Sequence, residues 1–280
     1  MKGPCRIALS GKGGTGKTTI SALLIQAILG TGESPVLAVD ADPNANLNEA
    51  LGLPLGETLG SMREDAFTKS IPPGMSRTGY IEYRFQQVLV ESEGVDLLAM
   101  GRPEGTGCYC FANRLLSEAM DLLTRHYRFV VMDMEAGMEH FSRGTIGIPD
   151  ILLVVSDPGA RGIRTARRIH DLALTLGIPE GNIYFVINRA GNVTPAGKGR
   201  VEEGVAGGGR PGANTGGPFG THSDPLLDPS RILASIPDDP EVEKADLEAR
   251  PIVSIPGGSP AKLAVAGLAE RVLALCRARE

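Results

Sequence analysis

A chain of 280 residues, 42% hydrophobic and 22% charged, carries enough apolar side chain for one large α/β domain, and its net charge of −5 argues against broad nucleic-acid binding. Tryptophan is absent and aromatics make up only 4%, so no base-stacking platform is expected. No apolar run reaches the roughly 18–20 residues of a membrane span. The N-terminus lacks the apolar core and cleavage site of a signal peptide. The expectation is a cytoplasmic protein with neither membrane nor nucleic acid as a partner. Its thiols should stay reduced, and its four cysteines are not read as a disulfide framework.

Short apolar runs alternate with helical patterns along the chain. Cys5–Ser10 reads as a first strand, followed by strands at Val36–Asp40, Val95–Met100, Phe129–Asp133, Ile151–Ser156, Ile183–Asn188 and Ile232–Ile236. Nearly continuous apolar strands of this kind suit a sheet covered on both faces. After the first strand, Ile20, Leu23, Leu24, Ala27 and Ile28 fall on one helical stripe closed by Gly30 and Gly32. Ile163, Ala166, Ile169, Ala173 and Leu176 form a second helical face, and residues 260–279 a third helix. The order predicts an α/β fold: a doubly wound, mostly parallel sheet flanked by helices, in a single domain spanning 1–280. Residues 190–229 interrupt it. Positions 191–220 hold 11 glycines and almost no large apolar side chains, and read as a flexible surface insertion.

Between the first strand and first helix stands Gly11-Lys12-Gly13-Gly14-Thr15-Gly16-Lys17-Thr18-Thr19, a match to G-x-x-x-x-G-K-[ST] in its expected strand–loop–helix setting. Glycines there turn backbone N–H groups toward phosphate oxygens, and the helix N-terminus adds its positive dipole end. Lys17 places a charge on the β- and γ-phosphates, and the Thr18 hydroxyl joins a Mg²⁺ shell. Two strands end in acids: Asp40-Ala41-Asp42-Pro43-Asn44 and Met132-Asp133. Ligands of open α/β sheets sit at the carboxyl ends of strands, so these carboxylates should face the loop. Asp-Pro-Asn also suits a turn and helix cap. Asp133 fits the strand-end acid that reaches Mg²⁺, and Gly137 beyond it can offer an N–H to a γ-phosphate. Asn188 closes another strand and has the amide needed to read adenine, though a turn-forming Asn reads the same.

The second lysine of the loop, Lys12, resembles the deviant Walker A of the MinD/ParA/nitrogenase iron protein superfamily, a group of P-loop ATPases. That resemblance implies that Lys12 reaches the nucleotide of a partner in a homodimer and acts there as an arginine finger does. It further implies that Asp42 orients the attacking water, that Asp40 serves the Mg²⁺ shell or the water, and that the loop at Pro237 closes over the base.

Cys108-Tyr109-Cys110 supplies two thiols, half of a tetrahedral site, and a two-fold axis solves the count because two chains supply four. Small packing residues or a redox pair are the other readings. Cys5 and Cys276 read as core, and His126, His140, His170 and His222 as structural or surface residues. Together, the phosphate loop, Asp-Ala-Asp-Pro-Asn-Ala-Asn-Leu, Cys-x-Cys and Met-Glu-Ala-Gly-Met-Glu-His resemble the CooC family, the nickel-insertion ATPases of carbon monoxide dehydrogenase. The resemblance implies ATP and ADP as nucleotides with Mg²⁺, and Ni²⁺ or Zn²⁺ at Cys108 and Cys110 across the dimer. It also implies a client nickel enzyme, carbon monoxide dehydrogenase or acetyl-CoA synthase. An ATP-driven [4Fe–4S] electron donor and a MinD- or ParA-like spatial switch are the alternatives.

Overall fold

The computed structural model describes residues 3–62, 72–101, 120–121, 123–135, 147–191 and 228–279. Eight strands among them form one sheet: β1 (Cys5–Gly11), β2 (Val36–Ala41), β3 (Leu89–Val90), β4 (Val95–Ala99), β5 (Phe129–Met134), β6 (Ile151–Ser156), β7 (Ile183–Ala190) and β8 (Ile232–Pro237). The spatial order is β3-β4-β2-β5-β1-β6-β7-β8. Every pairing is parallel except β3 with β4. The seven expected strands are present within one or two residues of their expected ends; the short antiparallel edge β3 is an addition.

Strand side chains alternate between two apolar layers, as the pleat requires. Ile7, Leu9, Val131 and Leu153 enter one layer, with helices α1 (Lys17–Gly30), α2 (Leu47–Leu51) and α6 (Pro260–Arg277). Ala8, Met132, Leu152 and Phe185 enter the other, with α3 (Arg77–Val88) and α4 (Ala160–Thr175). The short α5 (Pro240–Leu247) follows β8.

The single stripe expected on α1 is not what forms. Ser21, Ala22 and Ile25 are buried together with Ile20, Leu23, Leu24 and Ile28, while Ala27 is only half-buried. The cause is a second cover. The sheet takes one side of α1, and α6, α2 and the turn at Ile252–Ser254 take the other. On α4, Ala166, Ile169 and Ala173 are buried as expected. On α6, Val265, Leu268, Val272 and Leu273 are buried, so its apolar face is core. No helix among the described residues is long and apolar enough to cross a membrane.

The cysteine expectation needs correction. Cys5 and Cys276 do not stand in the core as separate thiols; they form a disulfide. The start of β1 and the last turn of α6 converge until the two Cα atoms are 5.8 Å apart, inside the range a disulfide spans. Sequence separation hid this, because the two cysteines stand 271 positions apart. Close by, Glu33 pairs with both Arg128 and Arg277, tying α6 to the same end of the sheet. His170 is buried, stacks on Phe185 and lies 3.3 Å from Asp171 through Nδ1, a packing role.

Candidate functional site

Strand β1 delivers the chain into the phosphate loop at Gly11. A Cβ there would sit 2.3 Å from the Val155 carbonyl oxygen, so only glycine lets β1 run this close to β6. Beyond it the loop folds around one acceptor. The Thr15 amide, the Thr15 hydroxyl and the Lys17 ammonium donate to the Lys12 carbonyl at 3.3, 2.8 and 3.4 Å. Gly14 and Gly16 take positive φ of 77° and 87°. Gly16 is the residue from which α1 starts, and no acidic side chain occupies the first turn. The first-turn amides and the dipole are therefore not offset by a carboxylate of that turn, the setting in which a helix N-terminus takes an anion. Lys17 is 9% exposed, whereas Lys12 and Gly13 are exposed to solvent. Thr19 follows Thr18 in the first turn of α1, beside the cavity.

Two strand-end acids converge beneath the loop. Asp133, at the end of β5, accepts from the Thr18 hydroxyl at 2.6 Å and from the Ser21 hydroxyl at 3.3 Å. Burial pushes its carboxyl up to about 7; the Thr18 bond and Lys17 oppose the rise, and Asp40 adds to it. Asp40, at the end of β2, accepts from the amides of Asp42 at 3.0 Å and Leu47 at 2.8 Å. Burial pushes it up to about 6 against those bonds. Asp40 thereby fixes the path of the loop that leads into α2. Asp42 is half-buried and accepts from the Asn44 amide at 2.9 Å, the turn that Asp-Pro-Asn suggests. Thr18, Asp133 and Asp40 form a set of oxygen donors with buried negative charge in want of a cation. That chemistry fits Mg²⁺, which takes its remaining ligands from phosphate and water. Among the described residues no group of three or more His, Cys, Asp or Glu could hold a metal ion by itself.

An open cavity of about 990 Å³ runs from Gly16 and Thr18 past Asn188 and Arg189 to Pro237 and Asp238. Asn188 is 9% exposed, and its side-chain amide donates to the Thr15 carbonyl at 2.8 Å. Arg189 beside it has φ of 53°, at a register irregularity between β7 and β8. The sequence reading missed the brace behind Pro237. Asp239 caps α5 through the Glu241 amide at 3.0 Å, accepts the Ala261 amide at 2.9 Å, and accepts the Ser259 hydroxyl. Burial would raise its carboxyl, but the three bonds together hold it below the usual carboxylate range. The signal was visible: Asp239-Pro240 and Ser259-Pro260 are each a capping residue followed by a proline in the first helical position. Cys108, Cys110, Gly137, His140 and almost all of the 190–229 insertion lie outside the described residues.

Residues 7–252 match the family of CobQ/CobB/MinD/ParA nucleotide-binding domains. An uncharacterized ATP-binding protein of Methanocaldococcus jannaschii is 45% identical over 187 residues, 65% of this chain and 74% of that protein. The carbon monoxide dehydrogenase accessory protein CooC of Rhodospirillum rubrum is 39% identical over 189 residues, 62% of this chain and 70% of its own length. Among solved structures, the cell division ATPase MinD of Pyrococcus furiosus aligns with a TM-score of 0.63 at 24% identity, over 97% of this chain and 99% of that one. With a MinD-like sheet, a phosphate loop and buried strand-end acids in place, the chain belongs to the CobQ/CobB/MinD/ParA family of nucleotide-binding domains and is an ATPase of that superfamily.

Proposed function

We propose that this ATPase is a nucleotide-driven metallochaperone. Two copies close over ATP and hold Ni²⁺ or Zn²⁺ as cargo between Cys108 and Cys110 of one copy and the same pair of the other. The client is a nickel enzyme: carbon monoxide dehydrogenase, or acetyl-CoA synthase. The observation that carries this reading is the 39% identity to a protein named as a carbon monoxide dehydrogenase accessory protein, joined to a Cys-x-Cys in this chain.

The described site supports the nucleotide half. Lys17 and the first-turn amides of α1 take the phosphates. Lys12 is exposed, and among the described residues its carbonyl accepts bonds from Thr15 and Lys17. Its ammonium serves the nucleotide of the second copy, where a cation stabilises transition-state charge. Thr18, Asp133 and Asp40 would hold Mg²⁺. A cation held there would supply positive charge to the phosphate oxygens. Asp42 uses one oxygen for the turn and offers the other to the attacking water. The Gly137 amide senses the γ-phosphate, and Asn188 and Pro237 flank the base. Hydrolysis then relaxes the loops after Asp40 and Asp133 and changes metal affinity; by linkage, metal changes nucleotide affinity equally.

Anaerobic binding of Ni²⁺ and Zn²⁺ to the parent and to Cys108→Ala/Cys110→Ala, with oligomeric state followed by gel filtration, tests the reading. Loss of stoichiometric metal in the variant is expected. Unchanged metal binding and dimerisation would sink the metal half. A brown protein with broad visible absorption would favour the [4Fe–4S] electron donor instead.

A further inference from the structure

The Asn188 amide is spent on the protein itself. Its Nδ2 donates to the Thr15 carbonyl across a sequence separation of 173 residues, and the bond is buried. The contact is tight on its other side too, since a Cβ placed on Gly16 would lie 2.4 Å from the same nitrogen. Thr15 in turn holds Lys12: its amide and hydroxyl both donate to the Lys12 carbonyl. A continuous chain of bonds therefore runs from the tip of β7, through Thr15, to the backbone that presents Lys12.

We propose that Asn188 is a positioning residue for the phosphate loop, fixing the segment from Lys12 to Gly16 so that its amides and Lys12 are set before phosphate binds. A loop rich in glycine has many conformations to lose. An external pin at Thr15 removes part of that loss before the ligand arrives, which strengthens phosphate binding without touching phosphate. The pin also joins the two halves of the cavity. Arg189, held at φ of 53° in the β7–β8 irregularity, is the next residue. A shift at that bulge is carried into the phosphate loop through one side chain. The inference deepens the nucleotide part of the proposed function and does not depend on the metal part.

The experiment compares ATP with inorganic tripolyphosphate, which has no base, by competition against a fluorescent nucleotide, for the parent and for Asn188→Ala and Asn188→Leu. Thermal melting selects the variants that fold. Pinning predicts that tripolyphosphate weakens by about five- to tenfold, the loss expected for one neutral hydrogen bond. ATP should weaken at least as much. Tripolyphosphate affinity unchanged while ATP weakens would make Asn188 a base reader alone and overturn the proposal. A second arm uses Gly16→Ala in both backgrounds. If the contact sets the loop, the penalty of Gly16→Ala on tripolyphosphate binding shrinks in the Asn188→Ala background. Additive penalties would overturn the proposal. A parent that binds neither ATP nor tripolyphosphate would remove the nucleotide reading itself, and the inference with it.

Discussion

Asp40 and Asp133 stand opposite each other in register on the neighbouring parallel strands β2 and β5, and each is 1% exposed. Two carboxyls so placed cannot both ionise cheaply without a cation between or beside them. A carboxyl whose folded pKa exceeds its unfolded value keeps its proton longer in the folded state. Its contribution to stability is complete below 3.8 and is lost as pH rises to about 6 for Asp40 and about 7 for Asp133. The nucleotide-free protein should therefore lose stability across that window. Asp133→Asn should raise its thermal midpoint at pH 8 by ~2–4 °C, the equivalent of about 1–2 kcal/mol in a chain of this size, while abolishing hydrolysis. The gain should largely vanish near pH 5. Affinity for Mg²⁺–ATP should rise from pH 6 to pH 8, because the cation displaces protons. Melting curves and equilibrium titrations at the two extremes check both.

The two loop lysines should separate cleanly. Lys17 is 9% exposed at the start of α1, and Lys12 is exposed. Lys17→Ala should weaken ATP binding by at least about 100-fold, the loss of a charge-assisted contact in a partly buried site. Lys12→Ala should keep ATP binding within a few-fold in the single copy. It should lower the rate of hydrolysis at dimer-forming concentrations by about 10³ or more, as removal of a finger supplied in trans does. Nucleotide binding and phosphate release measured as functions of protein concentration distinguish the two.

Glycines of the same loop should differ as sharply. Gly11→Ala forces a Cβ to 2.3 Å from the Val155 carbonyl oxygen, a backbone atom that cannot swing away. It should destabilise the fold by ~2–3 kcal/mol and cost nucleotide binding as β1 shifts. Gly13→Ala meets nothing within 4 Å. Its melting temperature should match the parent. Denaturant unfolding of both variants provides the comparison.

The Cys5–Cys276 disulfide encloses nearly the whole chain. In the chain-entropy account a loop of this size restricts the unfolded state by about 5.6 kcal/mol, an upper figure that residual structure in the unfolded chain reduces. Thiol titration of denatured, unreduced protein should find two fewer thiols than after reduction. Cys276→Ser should lower the melting temperature under oxidising conditions and make it insensitive to reductant. Equal thiol counts before and after reduction would contradict the bridge.

Much of the fold was legible because its signals are local. Val36–Asp40, Phe129–Asp133 and Ile151–Ser156 are apolar runs long enough for a buried parallel strand, and each forms one. The phosphate loop was legible for the same reason: strand, glycines and helix are contiguous. What escaped depends on contacts distant in sequence. The all-round burial of α1 needs a second cover besides the sheet, and that cover is α6, some 240 residues later, which periodicity within α1 cannot report. Cys5 and Cys276 meet only when β1 and α6 are both in place. At a strand end the Asn188 amide suits a base, but its hydrogen bond to Thr15 is a property of the assembled sheet. Asp239 shows the opposite case, since its capping signature was present in the sequence while its second partner, Ser259 at the start of α6, was not predictable from it.

The most direct test of the account is native mass spectrometry of anaerobically purified protein, with and without ATP and Ni²⁺. The expected result is a dimer carrying nucleotide in each copy and one metal ion per two chains, with the metal lost in Cys108→Ala/Cys110→Ala. A dimer that forms with ATP and binds no metal would contradict it, leaving a nucleotide switch of the MinD/ParA kind with Cys108 and Cys110 as packing residues.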